Sequence, residues 1–538
     1  MIIIVDFGSQ TTHLIGRRIR ELGVGMKVLP PEKILHEALN DKSVKGIILS
    51  GGPSSVYEKS VPTIDRKIFN LGIPILGICY GLQLTAHLLG GKVIPGKKEY
   101  GPAIIKLKIN PSASSGEKLK ITEGLSNIFT VWMSHGDEVV QLPRGFEVFG
   151  STERVPFALA GDLKKNIFGL QFHPEVEHTQ YGLQILKNFI SLCGLSFQKT
   201  QNTQKSRNSD NQILRQSDSP SFPSILERII SEIQKTVGES YVIGAVSGGV
   251  DSTVAATLTA KAIGKKFIPV FVDNGLMREG TEKHVIKIFK TIGINPVVVN
   301  AAEEMLRRLK KITDSEQKRK VIGNFYIEIF EKEMKKLLAK KLPVKFLLQG
   351  TIYSDVIESR GTKHSSKIKS HHNVGGLPKN MQLKLLEPMR DFYKDEVREI
   401  GKKLGLASEF VNKQPFPGPG YAVRIRGEVT KERLEQEKKA DEIVLSELKK
   451  AGILHNVFLS FPVMTGAYST AVKGDGRHFG EVVALRIVES KDIMTSTWSR
   501  IPYGVLQKIS SRIVNEVSGV SRVVYDITTK PPATMEWE

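Results

Sequence analysis

Cys79 is the residue whose surroundings most strongly suggest chemistry. It stands in Gly77-Ile78-Cys79-Tyr80-Gly81, after an apolar run and before a helical pattern. A nucleophile between glycines at a strand-to-helix turn is held in a tight bend that presents its side chain above the sheet. The helix N-terminus that follows favours the thiolate, the reactive form. A partner occurs in Gln171-Phe172-His173-Pro174-Glu175. A histidine that takes the thiol proton, oriented by a carboxylate, is the logic of a catalytic triad. Gly51-Gly52-Pro53 adds glycines that let backbone N–H groups approach a developing oxyanion. Ser134-His135-Gly136-Asp137 is a polar loop of the kind that could hold an amino-acid head group. A lone cysteine is more often structural, and Cys193, which has no such context, is read that way.

A second constellation is Ser247-Gly248-Gly249-Val250-Asp251-Ser252, between an apolar strand pattern and a helix. Small residues there let successive N–H groups converge on a phosphate, and the helix N-terminus adds favourable partial charge. The absence of Gly-Lys-Ser/Thr argues against a kinase-type loop. Asp251 would suit a hard cation such as Mg²⁺ bridging phosphates. A glycine-rich turn alone is weak evidence, since glycines punctuate many strand–helix junctions.

The elements that must position these residues follow from periodicity. Strands are expected at residues 2–6, 46–49, 73–78 and 167–172, and helices at 10–22, 63–70 and 82–89. Residues 199–221 are polar, with almost no apolar side chains, and read as a solvated linker. A second alternation follows, with helices at 225–237, 253–263 and 282–292 and strands at 241–246, 267–272, 296–299 and 344–349. A long helical stretch runs through residue 341. After about residue 405 the alternation becomes irregular. The pattern predicts an α/β protein: two successive doubly wound, mostly parallel-sheet domains, then a smaller α+β domain. The expected boundaries are 1–195, a linker at 196–222, then 223–405 and 406–538. A chain of 538 residues is too long for one core, and no internal repeat is visible.

Composition narrows the class. Hydrophobic residues at 40% and charged residues at 25% are ordinary for a globular protein. No stretch reaches the roughly 18 apolar residues of a membrane span, and the first residues lack a basic leader. Two cysteines cannot form a disulfide framework, so a cytoplasmic enzyme with no membrane partner is expected. The net charge of +21 is compatible with a polyanionic partner. Aromatics at 7%, with no stacking platform beside the basic runs, argue instead for lysines on solvated helix faces and no nucleic acid.

Taken together, the four strings around Cys79 closely resemble class I glutamine amidotransferases, in that family's order. The resemblance implies Cys79 as nucleophile, His173 as base and Glu175 as its orienting carboxylate. It also implies Gly52 and Tyr80 N–H groups in an oxyanion hole, and Gln83, Ser134, His135 and Asp137 around L-glutamine. The Ser247–Gly248–Gly249–Val250–Asp251–Ser252 string resembles the N-type ATP pyrophosphatases, which cleave ATP between the α- and β-phosphates and adenylate a carbonyl oxygen. Asp273-Asn274-Gly275 sits where that family places the adenosine end, or is a plain turn.

Further strings resemble the glutamine-hydrolysing GMP synthase family over nearly the whole chain except the linker. They include Asp6-Phe7-Gly8-Ser9-Gln10, His371-His372-Asn373-Val374-Gly375-Gly376, Pro415-Phe416-Pro417-Gly418-Pro419-Gly420 and Pro531-Pro532-Ala533-Thr534-Met535-Glu536. That resemblance implies XMP, ATP and L-glutamine as substrates, Mg²⁺, and a homodimer formed through the last domain. It implies a lid carrying Asp355, Glu358, Lys369 and His371, and an XMP site with Arg319, Arg522, Lys530 and Glu536. Departures occur at His455, where the family has a glutamine, at the longer segment 464–473, and at Thr11, where it commonly has tyrosine. A tRNA thiolase would need cysteines in the second half, and asparagine synthetase a cysteine at position 2, which is Ile2. A nucleic-acid-binding protein that has lost catalysis would not need Cys79, His173 and Glu175 together.

Overall fold

The computed structural model describes residues 1–59, 61–108, 119–196, 222–352, 383–473, 476–490 and 493–538. The first region runs β1 (Ile2–Val5), α1 (Thr12–Glu21), β2 (Met26–Leu29), α2 (Ile34–Asn40), β3 (Gly46–Leu49), β4 (Ile75–Ile78), α3 (Tyr80–Leu88), β5 (Lys92–Leu107), β6 (Ile128–Gln141), β7 (Glu147–Ser151), β8 (Leu159–Asp162), β9 (Ile167–Leu170) and α4 (Gly182–Leu192). Among the described residues these strands form a sheet in the order β2-β1-β3-β4-β9-β8-β7-β5-β6. Strands β1, β3, β4 and β9 are buried along their whole length. Such unbroken apolar runs belong to parallel strands covered on both faces. Pairing is parallel from β2 to β9 and antiparallel beyond it. The adjacent parallel strands β3, β4 and β9 therefore end at one edge, and there Gly51, Cys79 and His173 follow.

The helix expected at 63–70 is corrected to a short 3₁₀ turn, Arg66–Asn70. Its start is fixed by Asp65, whose carboxylate accepts from Lys67 N–H, and Gly72, at φ 71°, closes off any extension.

The second region contains α5 (Phe222–Val237), β10 (Tyr241–Ala245), α6 (Val250–Ile263), β11 (Phe267–Asp273), α7 (Thr281–Thr291), β12 (Val297–Asn300), α8 (Ala302–Leu309), α9 (Ser315–Ala339), β13 (Val344–Leu348), β14 (Lys384–Leu386), α10 (Lys394–Lys403) and α11 (Ser408–Val411). Its sheet has the order β12-β11-β10-β13-β14, with parallel pairing throughout. The chain winds outward from β10 in one direction and then, from β13, in the other. Residues 247–252 follow β10 and so lie at the switch point, where open α/β sheets form their binding crevice.

The third region comprises α12 (Lys431–Lys450), β15 (Leu459–Lys473), β16 (Gly476–Glu489), β17 (Thr497–Trp498), α13 (Tyr503–Glu516) and β18 (Val520–Tyr525). Strand β16 pairs antiparallel with β15 and β17 and parallel with β18. The long segment 464–473 extends β15 into a hairpin with β16, down to the pair Lys473–Gly476. One apolar cluster joins the second and third regions, uniting Val270 and Leu276 with Tyr421, Ile425 and Leu485. No helix among the described residues is long and apolar enough to cross a membrane.

Candidate active sites

The turn after β4 is built by close approach. A Cβ on Gly77 would lie 2.6 Å from the Gly81 backbone, and one on Gly81 would collide with Leu49 O. Only glycine allows α3 to start so near β3. Cys79 itself takes φ 52° and ψ −103°, a conformation that costs a side-chain-bearing residue about 1–3 kcal/mol. Its N–H donates to Leu170 O at 2.7 Å and its carbonyl accepts from Gln83 N–H, so the bend is fixed from both sides.

The thiol meets its partners at the sheet edge. His173 lies close enough to Cys79 to interact with it electrostatically, and its Nδ1–H donates to Glu175 Oε1 at 2.8 Å. Glu175 is fully buried, and its Oε2 has no hydrogen-bond partner among the described residues. Burial disfavours the imidazolium, but the Glu175 carboxylate and Cys79 outweigh it and hold the His173 pKa well above the ordinary histidine value. The arrangement favours the imidazolium form of His173 beside the Cys79 sulfur. The Cys79 Sγ also accepts from Gln171 Nε2 at 3.7 Å and donates to Ser134 O at 3.5 Å. Tyr80 is the first helical residue, so its N–H has no intrahelical acceptor. Gly51 packs beneath the ring: a Cβ there would lie 3.3 Å from His173 Cε1. Gly52 follows it.

The expected glutamine-binding residues come together. Gln83 Nε2 donates to Asp137 O at 2.9 Å, and His135 Nδ1 is 3.0 Å from the same oxygen. Two neighbours were not anticipated from the sequence. The Tyr57 hydroxyl donates to Asp137 Oδ1 at 2.7 Å, and Glu99 Oε2 lies 3.6 Å from His135 Nε2. Burial lowers the His135 pKa despite Asp137 O and Glu99, which keeps that ring neutral.

At the second site Gly249 caps α6, and the hydroxyls of Ser247 and Ser252 lie 3.0 Å apart. Lys394 Nζ donates to Asp251 Oδ2 at 2.5 Å, whereas the buried Asp251 Oδ1 has no hydrogen-bond partner among the described residues. Gly350 presses on this loop from β13: a Cβ there would sit 2.7 Å from Ser252 Cα. Asp273, Asn274 and Gly275 close β11 in a tight turn, with Gly275 N–H donating to Asp273 Oδ1 at 3.0 Å. Asp355, Glu358, Lys369 and His371 lie outside the described residues.

Of the four residues expected to hold XMP, two meet at one segment. Arg319 donates to Glu538 O, and Glu536 accepts from Arg424 Nε and Nη2, each at 3.1 Å. Lys530 Nζ donates to Ile493 O at 2.8 Å, and Arg522 is exposed on β18. The segment ending at Glu538 is held by three fully buried cations that sequence reading missed. Arg424 takes Glu536, Lys318 takes Glu538 Oε2 at 2.9 Å, and Arg486 takes Thr534 O at 2.7 Å. Arg424 and Arg486 signalled themselves only as basic residues inside apolar patterns, and Lys318 is hidden in the charged run Glu316-Gln317-Lys318-Arg319-Lys320. His455, in the turn between α12 and β15, is exposed.

The fold and the first site define a glutamine amidotransferase unit joined to a phosphate-loop α/β unit. Family models agree: "Glutamine amidotransferase class-I" matches residues 3–192, "NAD synthase" residues 223–329, and "GMP synthase C terminal domain" residues 446–537. The GMP synthase (glutamine-hydrolyzing) of Aquifex aeolicus is 48% identical over 100% of this chain and 99% of its own. That of Brachyspira hyodysenteriae is 47% identical over the same shares. The chain belongs to the glutamine-hydrolysing GMP synthase family.

Proposed function

We propose that this enzyme converts XMP to GMP, with Cys79, His173 and Glu175 releasing ammonia from L-glutamine and the loop 247–252 binding ATP for adenylation of XMP. The observation that carries the reading is the pair of sites, each at the carboxyl edge of the parallel strands of its own sheet. His173 takes the thiol proton, and the Cys79 thiolate attacks the glutamine amide carbon. The Gly52 and Tyr80 N–H groups face the resulting oxyanion, while Gln83, Ser134, His135 and Asp137 hold the amino-acid end. Ammonia leaves with a proton from His173, and water then releases glutamate.

At the second site the phosphates lie on the backbone from Ser247 to Ser252, including Gly248, Gly249 and Val250, at the N-terminus of α6. The orphan oxygen of Asp251 fits Mg²⁺, which typically takes one or two carboxylates and completes its shell with phosphate oxygens and water. When bound, the ion supplies charge neutralisation on the phosphates. The XMP carbonyl oxygen displaces pyrophosphate, and ammonia then displaces AMP. We assign Asp355, Glu358, Lys369 and His371 to a lid, and Arg319, Arg522, Lys530 and Glu536 to XMP. The domains are placed at 1–195, 223–405 and 406–538, joined by the linker 196–222.

A cytoplasmic homodimer completes the reading. Both cysteines are free and buried, which suits a reducing compartment. On the β15–β16 hairpin the rings of Tyr468 and Phe479 stack at 5.5 Å, and Phe479 and Val472 are 70% and 74% exposed, an apolar face suited to a second copy. Val472→Glu should shift sedimentation equilibrium toward monomer, and an unchanged mass would remove this face from the interface.

The deciding assay supplies XMP, ATP, Mg²⁺ and glutamine and measures GMP, AMP and pyrophosphate. Formation of ADP, or AMP release that ignores XMP, would sink the reading. Cys79→Ala should abolish turnover with glutamine and retain it with ammonia.

A further inference from the structure

Helix α12 sends two carboxylates, Glu437 and Asp441, into the interior one turn apart. Their exposures are 0% and 1%. Buried carboxylates are costly unless they are paired or protonated, so their surroundings must account for them. Asp441 is fully engaged. Arg278 donates Nε to its Oδ2 at 2.6 Å and Nη2 to its Oδ1 at 3.1 Å, and the Tyr421 hydroxyl donates to Oδ2 at 2.9 Å. Arg424 Nη1 lies 3.8 Å from Asp441 Oδ1, and Arg424 grips Glu536 with its other two nitrogens. The Phe416 ring touches both guanidinium groups, at 4.9 Å from Arg278 and 4.8 Å from Arg424. Hydrogen bonds join Arg278 to Asp441 and Arg424 to Glu536, and a longer ion pair between Asp441 and Arg424 Nη1, which has no hydrogen-bond partner among the described residues, completes the chain Arg278–Asp441–Arg424–Glu536.

Its charges balance. Two guanidinium groups face two carboxylates. Glu437, whose oxygens have no hydrogen-bond partner among the described residues, is held protonated by burial and by Asp441. The chain also joins distant stretches of sequence. Arg278 ends the turn that begins at Asp273, and that turn is locked to the segment 415–424. Tyr421 N–H donates to Leu276 O at 2.9 Å, and a Cβ on Gly420 would collide with the same carbonyl. At the other end, Glu536 belongs to the segment bearing Glu538.

We infer that Asp441 is a positioning residue for adenylation: it holds the ATP-side turn 273–278 and the XMP-side segment 534–538 in one register through Arg278 and Arg424. The inference rests on the assignment of those segments to ATP and XMP made above. In-line attack on the α-phosphorus demands that register, because a misplacement of about 1 Å costs on the order of 100-fold.

The test uses the full chain and Asp441→Asn, which keeps the shape and removes the charge. XMP and ATP binding are measured by calorimetry, and AMP release is measured with XMP, ATP, Mg²⁺ and ammonia. Binding stoichiometry should hold and both KM values should stay within a few-fold, while kcat falls on the order of 100-fold. Arg278→Lys, which cannot grip both oxygens at once, should act the same way, and the double variant should be no slower than the slower single. An unchanged kcat in Asp441→Asn overturns the inference. A fall matched by an equal loss of XMP-binding stoichiometry does so too, since that marks a purely structural role. If Asp441→Asn does not fold, an unchanged kcat in Arg278→Lys overturns it. Absence of XMP binding by the unsubstituted chain would instead overturn the assignment of the 534–538 segment, and this inference with it.

Discussion

His173 shows how a single residue is tuned by opposing terms. Burial alone would strip its proton, and the Glu175 carboxylate beside it restores the charged form. Because the folded pKa lies above the unfolded value of about 6.5, the pair adds stability that is fully present below about pH 6.5. That stability is lost as pH rises through the folded pKa. Glu175→Gln leaves burial unopposed by the carboxylate, so the imidazolium is lost at lower pH. The alkaline limb of the glutaminase pH profile should therefore move to lower pH, with kcat reduced by about 10- to 100-fold. An alkaline limb that stays in place would show that Glu175 does not set the His173 charge. Thermal melts should show the variant's deficit largest below about pH 6.5 and shrinking above it.

At the scale of elements, two glycines govern two sites. Gly81→Ala drives a methyl group into Leu49 O, and overpacking of this kind costs about 1–3 kcal/mol. Glutamine-dependent synthesis should fall by at least tenfold, while ammonia-dependent synthesis, served by another sheet, persists. Gly350→Ala pushes on Ser252 and should do the reverse, sparing glutamine hydrolysis and reducing AMP formation with either nitrogen source. Equal losses in both assays for either variant would refute the separation. Much of this framework was legible in the sequence, because parallel strands such as β3 and β9 are unbroken apolar runs and Cys79 carries its glycines beside it. The antiparallel extension was not legible. Strand β5 is interrupted by Pro95, Gly96 and two lysines, and its ladder with β6 shifts register between Pro95 and Glu99. The contacts of Glu99 with His135 and of Tyr57 with Asp137 were hidden for the same reason. They join residues 36 and 80 positions apart, and only the strand register or loop packing brings them together.

Across the whole molecule, the two sites are linked by α1 and the start of α10. Arg17 donates Nη1 and Nη2 to the two oxygens of Asp395, at 3.2 and 2.6 Å, and its guanidinium lies 5.0 Å from the Tyr393 ring centroid. Arg20 donates to the Tyr393 hydroxyl at 3.1 Å. Between Tyr393 and Asp395 stands Lys394, which holds Asp251 of the phosphate loop. On the glutaminase side, the next residue of α1, Arg18, donates to Glu175 O at 3.1 Å. A short path of contacts thus connects the backbone of Glu175 to the phosphate loop. The Arg17–Asp395 pair is partly exposed, and such pairs contribute about 0–1 kcal/mol, so its loss should not unfold either half. Its effect should fall on the coupling between sites, which needs only a small bias in how they are placed. Arg17→Ala should leave ammonia-dependent GMP formation within about twofold of the unsubstituted enzyme. In the presence of all substrates, glutamate released per GMP should rise relative to the unsubstituted enzyme. Parallel measurement of glutamate and GMP decides it: a ratio unchanged from that of the unsubstituted enzyme would show that the contact is incidental to coupling.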